Sequence, residues 1–215
     1  MFDHRPVSLS DQVFDKLEGD ILSGVYQRGT ILTELSLCAS LGVSRTPVRE
    51  ALKMLESEHL IEETAKGTVV IGITNDDIQD IFDIRYEIEG KAAELAAERI
   101  TDDQLSELKE TLDLQDYYAA KGDSEHVRAA DSRFHELLYR ASGSMIYYST
   151  LMPLHKKSQR YRKLSVEKTN RAPKSCLEHR AIYEALASHD PAAARRASEE
   201  HIKNAAYNIF AGDKD

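Results

Sequence analysis

The sequence predicts a mainly α protein in two parts, an N-terminal winged helix-turn-helix with a small β-hairpin followed by an all-α helical bundle. Three observations carry this expectation. Apolar residues recur at helical spacing through most of the chain, and the β-rich, glycine-turned stretch falls between residues 60 and 73. Beyond residue 74, caps and breakers divide the chain into six segments of helical length. With 215 residues, 41% hydrophobic and 30% charged, the chain can bury two modest cores and is not disordered by composition.

In the first part, Leu9, Val13, Leu17 and Ile21 recur every four residues, and Ser8 or Ser10 can cap a helix that runs to about Ser23. Gly24 and Gly29 mark a loop. Thr33 caps a short helix through Leu35, Leu37 and Leu41, which Gly42 stops. Ser44 opens a third helix, with Pro47 in its first turn, where a missing N–H is tolerated, and Val48, Ala51, Leu52 and Leu55 facing inward. Leu60–Thr64 and Thr68–Ile73, joined by Ala65, Lys66 and Gly67, read as a hairpin. Three helices and a hairpin in this order make a winged helix-turn-helix over residues 1–74. Beyond it, helices are expected at about 76–99, 101–121, 123–142, 144–164, 173–188 and 191–210, a bundle within residues 75–215.

The formal net charge is −9, and the two parts carry −4 and −5, so neither is basic overall and any nucleic-acid contact has to come from placement. Two cysteines, Cys38 and Cys176, cannot form a disulfide framework and read as small apolar side chains of a reduced, cytoplasmic protein. No apolar run is long enough to span a bilayer, and the N-terminus lacks the apolar stretch of a secretory signal.

The third helix leaves Arg45, Thr46, Arg49 and Lys53 on its outer side. A recognition helix enters the major groove by its N-terminal end, where Arg reaches guanine O6/N7, Thr reaches a phosphate or thymine methyl, and the peptide dipoles favour phosphate. Lys66 and Gly67 at the hairpin tip are placed for backbone or minor-groove contact. An amphipathic helix with a solvated basic face would show the same spacing. The run from Leu41 to Leu52 (Leu-Gly-Val-Ser-Arg-Thr-Pro-Val-Arg-Glu-Ala-Leu), followed by Leu55, His59-Leu60-Ile61 and Lys66-Gly67, resembles the winged helix-turn-helix of GntR-type transcription regulators. That resemblance implies operator contacts from Arg45, Thr46, Arg49 and Gly67. The chain departs from the family pattern at Leu35, a position often polar or basic there.

In the second part, Asp131 and His135 stand four residues apart and project from one face of a helix, beside Phe134 and Leu138. His179 and His201 lie on two other helices among apolar neighbours. Histidines pointing into a bundle need partners; a shared metal ion would satisfy several, and so would individual bonds to carboxylates such as Glu178 or Glu200. Taken with the reader that precedes them, Asp131-x-x-Phe134-His135, Glu178-His179 and His201 resemble the FCD ligand-binding domain of FadR-like GntR regulators, over about residues 8–210 in all. The resemblance implies that Asp131, His135, His179 and His201 bind a divalent ion at the floor of an effector pocket. Such a donor set suits zinc or nickel and admits manganese.

Arg85 falls inside the apolar stripe of the first bundle helix and must be paired, either with Glu89 four residues on or, as the resemblance suggests, with an anionic effector. The basic run Lys156–Lys163 reads as a solvated face. Together these readings describe a homodimeric transcription regulator, most commonly a repressor in this family, that binds palindromic double-stranded DNA. A small carboxylate metabolite at the metal would tune operator affinity through the segment around Gly72–Asp77. A metal-dependent enzyme acting on a small carboxylic acid is the rival. It would need a positioned base and leaves the DNA reader without a role.

Overall fold

The computed structural model describes residues 8–65, 67–165 and 172–210, with backbone alone at 160–165. Two compact units divide the chain between Asn75 and Asp76.

In the first unit, Ser8 caps α1 (Leu9–Leu22), its hydroxyl accepting from the Asp11 amide while the Asp11 carboxylate accepts from the Ser8 amide. The Thr33 hydroxyl caps α2 (Glu34–Leu41) by accepting from the Ser36 amide, and Gly42 ends that helix in the left-handed region at φ 69°. α3 (Arg45–Ser57) follows from Ser44. Val13, Leu17, Ile21, Leu37, Val48 and Leu55 form the core between these helices.

The sheet differs from expectation. It has three strands, in the order β1-β3-β2, all antiparallel: β1 (Ile31–Leu32), β2 (Ile61–Thr64) and β3 (Gly67–Val70). The sequence reading assigns no strand to Ile31 and Leu32, yet they pair with Val69 and Thr68. The second hairpin strand ends at Val70, earlier than predicted, because the amides of Ile71 and Gly72 both turn to the Leu60 carbonyl. Gly67 has φ +116°, and a Cβ there would lie 3.3 Å from Ile31 Cγ2, so the turn needs glycine for conformation and for space.

The second unit is a bundle of α4 (Asn75–Arg99), α5 (Asp102–Lys121), α6 (Ser124–Ala141), α7 (Met145–Ser165), α8 (Ala172–Ala187) and α9 (Pro191–Phe210). Each lies within two residues of its predicted bounds. Thr101 and Gln104 form a capping box on α5, and Gly122 closes it. Ala92, Ala93, Ala96 and Ala97 give α4 a flat inner face against Leu108, Leu112, Phe134, Leu138, Leu151, Ile182 and Leu186. Gly90 brings α4 close to α9, since a Cβ there would meet Glu199 Cγ at 2.8 Å.

Candidate functional site

On α3, burial of Pro47, Val48, Ala51 and Leu55 fixes the helix rotation and leaves Arg45, Thr46, Arg49 and Lys53 exposed together. The spacing that predicted this face is therefore realised. Ser44 makes no side-chain cap bond at the N-terminus of α3. Arg49 does not stand alone: its Nε donates to Glu34 Oε1 at 2.6 Å, tying the recognition helix to the start of α2. The hydrogen bond from Arg49 holds the Glu34 carboxyl below its usual range. Leu35, beside it, is exposed. Gly67 sits at the hairpin, while Lys66 lies outside the described residues.

The four residues expected to bind metal come together inside the bundle. Asp131 and His135 are one turn apart on α6, His179 is on α8 and His201 on α9, and none is more than 5% exposed. Ligand atoms of His135, His179 and His201 all lie within 4.8 Å of one another. Asp131 Oδ1 is 3.8 Å from His179 Nε2. Phe134 stacks on the His179 ring at 4.3 Å between centroids, which fixes the ring plane.

Three residues orient these rings, and sequence reasoning identifies two of them, Glu89 and Glu178, without giving either this task. His135 Nδ1 donates to Glu89 Oε1 at 3.0 Å, with the Tyr139 hydroxyl 3.3 Å from the same nitrogen, His179 Nδ1 to Gln115 Oε1 at 2.9 Å, and His201 Nδ1 to Glu178 Oε2 at 2.8 Å. Each ring thus spends its proton outward and keeps the lone pair on Nε2, the arrangement that prepares imidazole for a metal. The sequence offers Glu178 as a hydrogen-bonding alternative to a metal; the bond exists and is compatible with one. Gln159 Nε2 donates to Asp131 Oδ2, leaving Oδ1 toward His179.

Arg85 forms the intrahelical pair: Nε reaches Glu89 Oε2 at 3.0 Å and Nη2 reaches Oε1 at 3.4 Å, while Nη1 donates to Ser158 Oγ at 2.8 Å. Both partners are buried. Burial opposes each charge, but their mutual attraction outweighs it, raising the Arg85 pKa and lowering that of Glu89, with His135 adding to the latter.

A fourth histidine, His155 on α7, joins the cluster without having been singled out by the sequence. It is 1% exposed, its ring centroid is 4.3 Å from that of His135, and its Nε2 is 3.6 Å from Asp131 Oδ2. Burial, the His135 ring and Arg85 all hold its pKa well below the ordinary value. The sequence signal is present but weak: Leu151, Met152, His155, Ser158 and Gln159 share one helical face ahead of the basic run. Within that run Lys156 is exposed and Lys157 half-buried, and the side chains from Arg160 onward lie outside the described residues. Cys176 is buried as expected, whereas Cys38 is half-buried.

The donor chemistry fits a divalent ion: three clustered imidazoles with the Asp131 carboxylate beside His179, all buried. Among the described residues, no helix is long and apolar enough to cross a membrane.

A winged-helix DNA reader followed by a helical unit with a buried histidine cluster defines a transcription regulator of the helix-turn-helix class. Residues 9–71 match the bacterial regulatory proteins of the gntR family, and residues 80–204 match the FCD domain. The chain belongs to the GntR family, in its FadR-like, FCD-containing group. It is 34% identical over 137 residues to the gluconate operon transcriptional repressor of Bacillus licheniformis; that match covers 62% of this chain and little more than half, 56%, of the repressor. It is 27% identical over 202 residues to the HTH-type transcriptional repressor RspR of Escherichia coli K12, covering 94% and 89% of the two chains. Among solved structures, E. coli McbR/YncC is similar with a TM-score of 0.74 at 26% identity, covering 96% of this chain and 99% of that one. These relatives are transcriptional regulators rather than enzymes, and GntR regulators bind operator DNA.

Proposed function

We propose that this regulator is a homodimeric repressor whose operator affinity is set by a small carboxylate bound at a divalent ion in the helical unit. The observation that carries the reading is the convergence of the buried His135, His179 and His201 rings, each with Nδ1 against an outer hydrogen-bond acceptor and their ligand atoms within 4.8 Å of one another. Isolated core histidines have no reason to converge in this way. Metal binding is common among FCD domains, which adds support.

Asp131, His135, His179 and His201 would hold the ion, zinc or nickel first and manganese also admitted by the donors. The ion supplies a Lewis-acidic centre that attracts a carboxylate. Arg85 lends positive charge from one layer behind, through the polar groups it touches. On the reader, Arg45, Thr46, Arg49 and Lys53 address the major groove, with Lys66 and Gly67 toward the flanking backbone, and two copies read a palindrome. A ligand that favours one arrangement of the two DNA readers shifts operator affinity by that preference.

The test is a thermal-shift screen of metal-loaded protein against small carboxylic acids, run beside His135→Ala and paired with operator binding. An acid present at a hundred times its Kd adds about 2.7 kcal/mol of stability. The reading expects an acid that stabilises the metal-loaded protein, not the variant, and that changes operator affinity. Stabilisation by metal with no response to any acid would reduce the ion to a structural role.

A further inference from the structure

His155 stands within ligand distance of Asp131 and His135, and by position alone it would count as another metal ligand. Its hydrogen bonding says otherwise. Nδ1 faces Arg85 Nη2 at 3.4 Å. A guanidinium has only donors, so Nδ1 must accept, and the ring proton then resides on Nε2. His155 is therefore the mirror image of its three neighbours. They turn a lone pair toward the cluster, whereas His155 turns an N–H.

That N–H makes no hydrogen bond: Nε2 is buried without a partner, and the nearest carboxylate oxygen, Asp131 Oδ2, is 3.6 Å away and already accepts from Gln159. A buried donor left unsatisfied is destabilising. Arg85 is held in turn by Glu89 and by Ser158, whose hydroxyl donates to the His155 carbonyl, so ring, guanidinium and helix α7 form one fixed assembly.

We propose that His155 is a ligand-reading residue, with its Nε2–H donating to an oxygen of a small carboxylate that binds beside the ion, and with Arg85 as the positioning residue that fixes its tautomer. This rests on the metal-centre reading above. It commits the ion to four protein ligands, and it makes recognition depend on an acceptor oxygen next to the metal. A ligand with a lone donor group at that point would face the His155 N–H and be rejected.

The experiment uses the full chain with 15N-labelled histidines, followed by long-range 1H–15N correlation on adding zinc and then acetate as the probe carboxylate. The His155 signals are identified with His155→Gln. Zinc is expected to move Nε2 of three imidazoles while His155 keeps its Nε2 proton, and acetate is expected to shift that proton. His155→Phe should weaken acetate about tenfold or more, the worth of a hydrogen bond to a charged group, and leave zinc affinity in place. His155→Gln, which retains an N–H, should recover part of the loss. Four zinc-bound imidazoles, or equal acetate affinity in His155→Phe, would overturn the proposal with the metal centre intact. Failure of the wild-type chain to take up zinc would instead overturn the metal-centre reading, and the proposal with it.

Discussion

Replacing Arg85 by Met removes a buried charge of similar reach and leaves Glu89 behind. In the native arrangement Glu89 is fully buried and accepts two bonds from the guanidinium, one from His135 and one from the Tyr139 hydroxyl. After the substitution only the His135 and Tyr139 bonds remain, and Ser158 loses the Nη1 donor. Removing one member of a buried ion pair costs about 3–5 kcal/mol, because the other charge stays buried without compensation. For a unit of this size that lowers the Tm by roughly 10–20 °C. The double variant Arg85→Met/Glu89→Gln takes away the stranded charge while an amide oxygen still accepts from His135. It should regain most of the loss despite carrying one more substitution. Urea unfolding of metal-free protein, followed in the tyrosine near-UV band, measures this directly, since every tyrosine except Tyr26 lies beyond residue 75. A loss below about 1 kcal/mol for the single variant, or a double variant less stable than the single, would refute the account of the pair.

Arg45→Ala and Arg49→Ala are each expected to cost about 1–3 kcal/mol of operator affinity and to relax specificity at one base pair, whereas Lys53→Ala should mainly reduce the salt dependence; anisotropy titrations at several salt concentrations separate the two effects. The Cys176 thiol is pushed up to about 12 by burial and by the Asp116 carboxylate, so iodoacetamide at pH 8 should label it only after unfolding, as read by mass spectrometry. Labelling of the native protein at Cys176 would show that its surroundings are misjudged. Hydrogen bonds from Arg180 and Lys109 hold the Asp113 carboxyl below its ordinary value. A depressed carboxyl stabilises the fold above its unfolded pKa, and that contribution is lost as pH falls through the folded value. Arg180→Met should therefore raise the Asp113 pKa toward 3.8 in a 13C-detected titration and soften the acid limb of the stability profile.

The helices are legible in the sequence because caps are local. Ser8, Thr33, Gly42, Thr101 and Gly122 each end or start an element through bonds to residues within about one turn, which sequence spacing captures. Strand β1 is not legible, since two residues cannot display alternation and its pairing partner lies 38 positions away at Val69. The same divide runs through the site. Asp131 and His135 announce themselves by their spacing, and His179 and His201 by their apolar neighbours together with a family resemblance. His155 sits directly before two lysines, so the run of charge masks its inward position. Gln115 carries no motif of its own; only the approach of α5 to α8 gives it a role.

The outer partners of the cluster also bear on the order of folding. The bonds that fix it join residues 23, 28, 64 and 70 positions apart and tie α4, α5, α6, α7, α8 and α9 across the bundle. Closing loops of such lengths costs entropy before any of these bonds can form, whereas the helices nucleate locally. The polar centre should thus assemble after the rate-limiting barrier, with φ-values near zero at Gln115, Glu178 and Gln159. Interactions absent from the transition state act almost wholly on the escape rate. Whatever occupies the centre will accordingly lengthen the lifetime of the folded bundle while leaving the speed of its formation nearly untouched.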